Sequence, residues 1–429
     1  MVPSGVLRWL AVAAIATGAC ATEDSTAGDP FPIHVDRVGG ALVAQVSIDG
    51  EAPVTAVIDV MSPLTVVDRA LGAAVERKAV QLTVLGHRSA TDDALIPRAR
   101  YSSTALFLHP CDTDGACSVG LPGTPTPIGA VLGADTLRGD ALRVQPARDQ
   151  LYVLPDIAGD SEARDRLCDA EIPSPFYGGG TLVVGGTELA FAGLRPTLGV
   201  CLTPRPDRAD PAERGVDAAL VMSTGIGPSI LATSRYEIWR AATNGPALAT
   251  LPPATVLLPS GPIAGRLARI DGLAIVGAAS APRGACRDVF AHHLLSTRDC
   301  TAADGDDCPC TDAEFCSVPS VVELAPAFEA LVVPDNEPLL QALRTELRPA
   351  QPEIDGILGL DALAATEFDL DYPHNRLLFR CTAGGCVVRP SLSDQASRLL
   401  VASCVAAAPP VVVDAGVDAG ADALPLDAP

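Results

Sequence analysis

The chain has 429 residues, 48% of them hydrophobic and 19% charged, which is enough apolar content for two lobes with buried cores. A formal net charge of −22 repels polyanions, so nucleic acid and anionic lipid headgroups are excluded as partners. Gly and Pro number 38 each, a turn-rich balance that fits many short strands better than long helices.

The chain opens with "MVPSGVLRWLAVAAIATGAC": one basic residue, Arg8, an apolar stretch from Trp9 to Ala16, and small residues up to Cys20. That is the layout of a secretory signal, and it is too short for a stable membrane span. The "TGAC" ending is similar to a bacterial lipoprotein signal, in which the Cys is acylated as the first mature residue. Thr17 departs from the usual Leu, and plain cleavage at "ATGACA" is the alternative. The lipoprotein reading places the protein across the inner membrane, at the outer membrane or cell surface, with a lipid anchor at Cys20. "ATEDSTAGDP" then reads as a polar tether. At the far end "APPVVVDAGVDAGADALPLDAP" is low-complexity and cannot bury a core.

Between these ends the chain repeats itself at three points. "GGALV" at 39–43 matches "GGTLV" at 179–183, and "AVIDVMSPLTVV" at 56–67 matches "LVMSTGIGPSIL" at 220–231. "IGAVLGADTLRGDALRVQPARDQLYV" from Ile128 aligns without gaps onto "IDGILGLDALAATEFDLDYPHNRLLF" from Ile354, and each copy continues as strand, polar turn and strand. Helical patterns are few: "SEARDRLCDA", "ATSRYEIWRAAT" and "NEPLLQALRTEL". Three matched elements in the same order predict a duplicated, mostly β architecture with minor helices.

These residues resemble the aspartic peptidases, both the two-lobed pepsin-like type and the retropepsin-like bacterial type. In that family each lobe supplies a hydrophobic-hydrophobic-Asp-Thr-Gly turn and, later, a hydrophobic-hydrophobic-Gly segment behind it. "AVIDVMSPLTVVD" resembles the first turn, with Asp59 at the Asp position. "AVLGADTL" and "GILGLDAL" resemble the supporting segments, with Gly133 and Gly359 at their glycines. The resemblance spans roughly residues 39–380 and implies two β lobes flanking a cleft. The expected division is a signal at 1–20, a tether at 21–31, an N-terminal lobe at 32–158 and a C-terminal lobe at 159–390. A lobe end at 391–405 and a disordered tail at 406–429 complete it.

The family's chemistry needs two carboxylates that share one proton across the lobe junction. One takes a proton from the attacking water while the other polarises the peptide carbonyl. Here the first turn keeps Asp59 but carries Val60 at the Thr position and Met61 at the Gly position, followed by Ser62. The second turn keeps Thr224 and Gly225 but has Ser223 in place of the acid. A serine hydroxyl stays neutral near pH 7 and cannot share the proton. The expectation is an inactive catalytic pair, with a cleft for extended peptide or a structural envelope role. The alternative is an atypical endopeptidase using Asp59. Asp92 and Asp93 are possible replacement acids, placed where a flap-like hairpin belongs.

Other motifs read more plainly. Thirteen cysteines, with Cys20 set aside, leave an even number suited to disulfides, and Cys111/Cys117 and Cys381/Cys386 are close enough to close small loops. Cys300, Cys308, Cys310 and Cys316 lack paired zinc spacing and read as a stapled acidic loop, so no metal and no cofactor is expected. His292 and His293 read as surface residues. "MSTGIG" lacks the strand-to-helix elbow of a Ser-His-Asp hydrolase. Met61 and Met222 are expected to fill the emptied centre.

Overall fold

A computed structural model describes residues 33–71, 76–89, 92–108, 117–121, 124–155, 170–184, 187–208, 210–278, 284–290, 321–347 and 353–389. The signal, tether, tail, Cys300–Cys316 cluster, Cys111, the two adjacent histidines and most of "SEARDRLCDA" lie outside these residues, as do the side chains of Asp92 and Asp93. Among the described residues no helix is long and apolar enough to cross a membrane.

The described chain forms two sheets of thirteen strands each, the duplicated, mostly β architecture that the repeat implied. Both halves are built on one template. In the first, Ala41–Ile48 pairs antiparallel with Val54–Ile58, which ends at Asp59 and takes Ala130–Leu132 as a parallel partner, Val57 opposite Val131 and Ile58 opposite Leu132. In the second, Val216–Met222 ends at Ser223 and takes Gly356–Leu358 in parallel, Val221 opposite Ile357 and Met222 opposite Leu358. These short apolar runs are buried on both faces, as parallel central strands require. Each supporting strand then turns into a single helical turn, Ala134–Leu137 or Leu360–Leu363.

The glycines that open those turns are forced by packing. A Cβ on Gly133 would lie 2.4 Å from the Leu64 carbonyl oxygen, and one on Gly359 would lie 2.3 Å from the Gly227 carbonyl oxygen. Their N–H groups donate to equivalent hydroxyls, Thr65 Oγ1 and Ser229 Oγ, both at 3.1 Å. Two predicted helices are present, at Thr233–Thr243 and Pro338–Leu347. The Cys381–Cys386 disulfide forms, Cys117 is disulfide-bonded, and a further bridge joins Cys201 to Cys286.

The hairpin after each helical turn joins the halves. Asp140–Gln145 pairs antiparallel with Thr366–Asp371, so the first sheet holds strands from both copies. At the centre of this ladder Arg143 faces Asp369, its own equivalent 226 positions on. The guanidinium donates two hydrogen bonds to the carboxylate, Nε to Oδ1 at 2.8 Å and Nη2 to Oδ2 at 2.9 Å. The side chains are 9% and 2% exposed. A buried pair of this kind is stable only while both partners are present. Arg143→Ala is expected to destabilise the fold by about 3–5 kcal/mol in chemical denaturation. The double variant Arg143→Leu/Asp369→Leu, which removes both charges, is expected to recover most of that loss.

Candidate functional site

The two turns meet where the repeat placed them. Backbone bonds fix each in the same way: Asp59 N–H donates to the Leu132 carbonyl at 3.1 Å, and Ser223 N–H to the Leu358 carbonyl at 3.0 Å. Ala134 N–H donates to Ser62 and Leu360 N–H to Ile226, again as equivalents. Thr224 ties the lobes together from a fully buried position. Its hydroxyl donates to the Ile58 carbonyl at 2.6 Å and accepts the Val60 N–H at 3.2 Å. Val60 is also buried and has no hydroxyl to return the bond, so the cross-lobe clasp is made from one side only.

Asp59 receives three donors on a single oxygen. Ser223 Oγ donates to Asp59 Oδ1 at 2.8 Å, the Met61 N–H at 3.0 Å and the Gly225 N–H at 3.3 Å. The Gly225 N–H also reaches Ser223 Oγ at 3.1 Å. Ser223 is fully buried, so its hydroxyl serves the carboxyl rather than the cleft. Oδ2 has no hydrogen bond among the described residues. Burial pushes the Asp59 carboxyl above its ordinary value of 3.8 and outweighs the three donors and the nearby Arg195 charge, which act the other way.

The turns are unequal in shape, and a close approach explains it. A Cβ on Gly225 would lie 2.7 Å from Asp59 Cγ, so the turn facing Asp59 must keep its glycine. The pseudo-two-fold carries Asp59 onto Ser223 and Gly225 onto Met61. With only a serine in the facing turn, a side chain is tolerated at position 61.

Beside Asp59 lies an open cavity of about 250 Å³, walled mainly by apolar groups such as Met61, Ile128, Val131, Ile226 and Leu258. Ser62, Gly225 and Asp68 also line it. Met61 is therefore a wall residue, whereas Met222 is buried in the core beneath, and the centre is not filled. Among the described residues one cation enters the wall. Arg195, on the strand Thr187–Leu202, is paired side-on with Glu346 at the end of the helix Pro338–Leu347, Nε to Oε1 at 2.8 Å and Nη2 to Oε2 at 2.7 Å. Its Nη1 donates to the Met61 carbonyl, directly behind the Asp59 turn.

The structure thus brings together Asp59, Val60, Met61, Ser62, Ser223, Thr224 and Gly225, with Gly133 and Gly359 behind them. Sequence reasoning missed Arg195 and Glu346, which lie far apart in the chain without a motif around either. Asp92 starts the second strand of the long hairpin Glu76–Ser89/Asp92–Leu108, which contributes no residue to the cavity wall among the described residues. No group of three or more His, Cys, Asp or Glu with metal-site geometry occurs among the described residues.

No protein-family model matches the chain, and no curated protein does. Among solved structures the chain is similar to the aspartic proteinase from Irpex lacteus, at 10% identity and a TM-score of 0.35. The match covers 82% of this chain and 97% of that one.

Two outcomes follow from the site's hydrogen bonds and charge. Thr224→Val leaves the Val60 N–H and Ile58 carbonyl buried without partners, and is expected to lower unfolding free energy by about 1–3 kcal/mol per orphaned group. For Asp59 the folded carboxyl holds its proton more tightly than the unfolded one. Stability is therefore full below the ordinary value and is lost as pH rises toward the raised one. Asp59→Asn, with no charge to bury, is expected to melt above the parent at pH 7. Below pH 3.8 that gap should close in paired thermal melts.

Proposed function

We propose that this chain is a secreted, lipid-anchored protein of aspartic-peptidase-like fold whose cleft holds an extended peptide without cleaving it. The observation that carries the reading is the bond from the Ser223 hydroxyl to Asp59 Oδ1, across the junction where two-carboxylate chemistry requires a second acid. A hydroxyl donating permanently to the lone carboxyl holds it in place and supplies no proton at neutral pH. The carbonyl of a bound peptide then meets no second acid to polarise it, and general acid assistance of that kind is worth about 10²–10⁴ in rate. Binding does not need that acid, because an extended peptide is held largely through its main chain. The open cavity beside Asp59 supports a ligand role over a purely structural one.

A second reading, an atypical endopeptidase using Asp59 alone, draws on the same geometry: Oδ2 is unbonded and the residue lines the cavity. The full chain mixed with denatured proteins from about pH 3 to 7 separates the two, with products read by mass spectrometry beside Asp59→Asn. No cleavage, together with saturable binding of extended peptides, is the expected result. Cleavage by the parent that vanishes in Asp59→Asn would replace this reading with the catalytic one.

A further inference from the structure

The Arg195 guanidinium has five N–H donors, of which Glu346 takes two and the Met61 carbonyl one. Two remain, on a side chain that lines the cavity. Asp59, on the same wall, retains one unbonded oxygen. Most of the remaining wall is apolar. A pocket with a small polar cluster in otherwise hydrophobic walls suits a ligand with an apolar body and one polar head.

We infer that the cavity takes the last residue of a peptide, an apolar side chain bearing a free carboxylate, with the carboxylate held between Arg195 and Asp59. This rests on the peptide-cleft reading and sharpens it by fixing which part of the peptide enters. The charges decide the head group. Arg195 is already neutralised by Glu346, so an entering carboxylate meets no net positive charge from that pair. It needs a second donor, and a protonated Asp59 supplies one through Oδ2. The ligand's own carboxylate then stands opposite Asp59 and shares its proton, as the missing second acid would have done. Once Asp59 ionises, two carboxylates face each other and the ligand leaves.

The charged and titratable groups around Asp59 are Arg195 on its strand, Glu346 on the helix behind it, Asp68 on the cavity wall and Tyr372. Burial pushes the Tyr372 hydroxyl up, with Asp59 adding to the shift, so that tyrosine stays neutral across the working range. A free α-carboxylate, with an ordinary value of about 3.5, stays ionised above pH 5. Affinity should therefore fall as pH rises through the raised Asp59 value.

The test is fluorescence anisotropy on the full chain with a five-residue alanine peptide ending in leucine, labelled at its N-terminus, as free acid and as amide. The free acid is expected to bind at least tenfold more tightly than the amide at pH 5, and the advantage should shrink toward pH 7.5. Equal binding of acid and amide would overturn the inference and leave the peptide-cleft reading standing. If neither binds, both fall. Arg195→Met/Glu346→Gln, checked for folding by circular dichroism, is expected to lose the preference for the free acid. Asp59→Asn, whose amide donates at every pH, is expected to keep that preference and lose its pH dependence. A pH dependence unchanged in Asp59→Asn would remove Asp59 from the site and overturn the inference. N-acetyl-leucine as competitor identifies the source: displacement of the peptide at matching affinity would make the ligand a free hydrophobic acid and overturn the peptide assignment.

Discussion

Everything near the centre of this molecule is subject to one constraint: residues on the pseudo-two-fold axis meet their own repeat equivalents. Arg143 and Asp369 obey it directly, 226 positions apart and bonded to each other in the shared ladder. In a symmetric dimer of identical chains that place would hold two arginines or two aspartates, and burying either like pair is prohibitive. Opposite charges there are possible only because the two copies belong to one chain and have diverged. The ion pair therefore favours a first copy meeting a second copy over two like copies meeting each other.

The same axis explains how the two turns share a geometry while differing in their side chains. The backbone bonds behind Asp59 and Ser223 are duplicates, and Gly133 and Gly359 behind them crowd the equivalent carbonyls of Leu64 and Pro228. That scaffold depends on main-chain groups and small residues, so it survives changes in the side chains it presents. The side-chain layer is asymmetric. One threonine hydroxyl clasps both lobes, one carboxyl collects the donors, and one glycine yields to the acid opposite it. Arg195, held by Glu346, extends this asymmetry to the cavity, where it is the one cation on the wall among the described residues.

Much of this was legible in the sequence, for definite reasons. The gapless match between 128–153 and 354–379 carries hairpins whose turns sit at equivalent positions, with Asp149 and Asn375 both left-handed at φ 51° and 50°. Register follows from such a match without knowledge of packing. The serine facing Asp59 is legible because it falls in a short turn whose sequence matches the turn around Asp59. The Arg143–Asp369 pair could also have been read, since the alignment superposes a buried-context arginine on a buried-context aspartate. Arg195–Glu346 could not. It joins a strand to a helix about 150 residues away, and neither neighbourhood repeats. The open centre was equally hidden, because whether Met61 fills a space or walls it depends on where the second lobe lies. Met222, one step before Ser223, turns down into the core instead.

The inequality between Gly225 and Met61 limits how the site can be rebuilt. An acid at position 223 would direct its carboxyl at the place where Met61 now carries its side chain, just as Asp59 crowds Gly225. Installing a second acid opposite Asp59 is therefore not a single step. Serine must become aspartate while methionine becomes glycine, and either change alone passes through a poorer molecule: one with a clash and a second buried acid, the other with an unsupported gap.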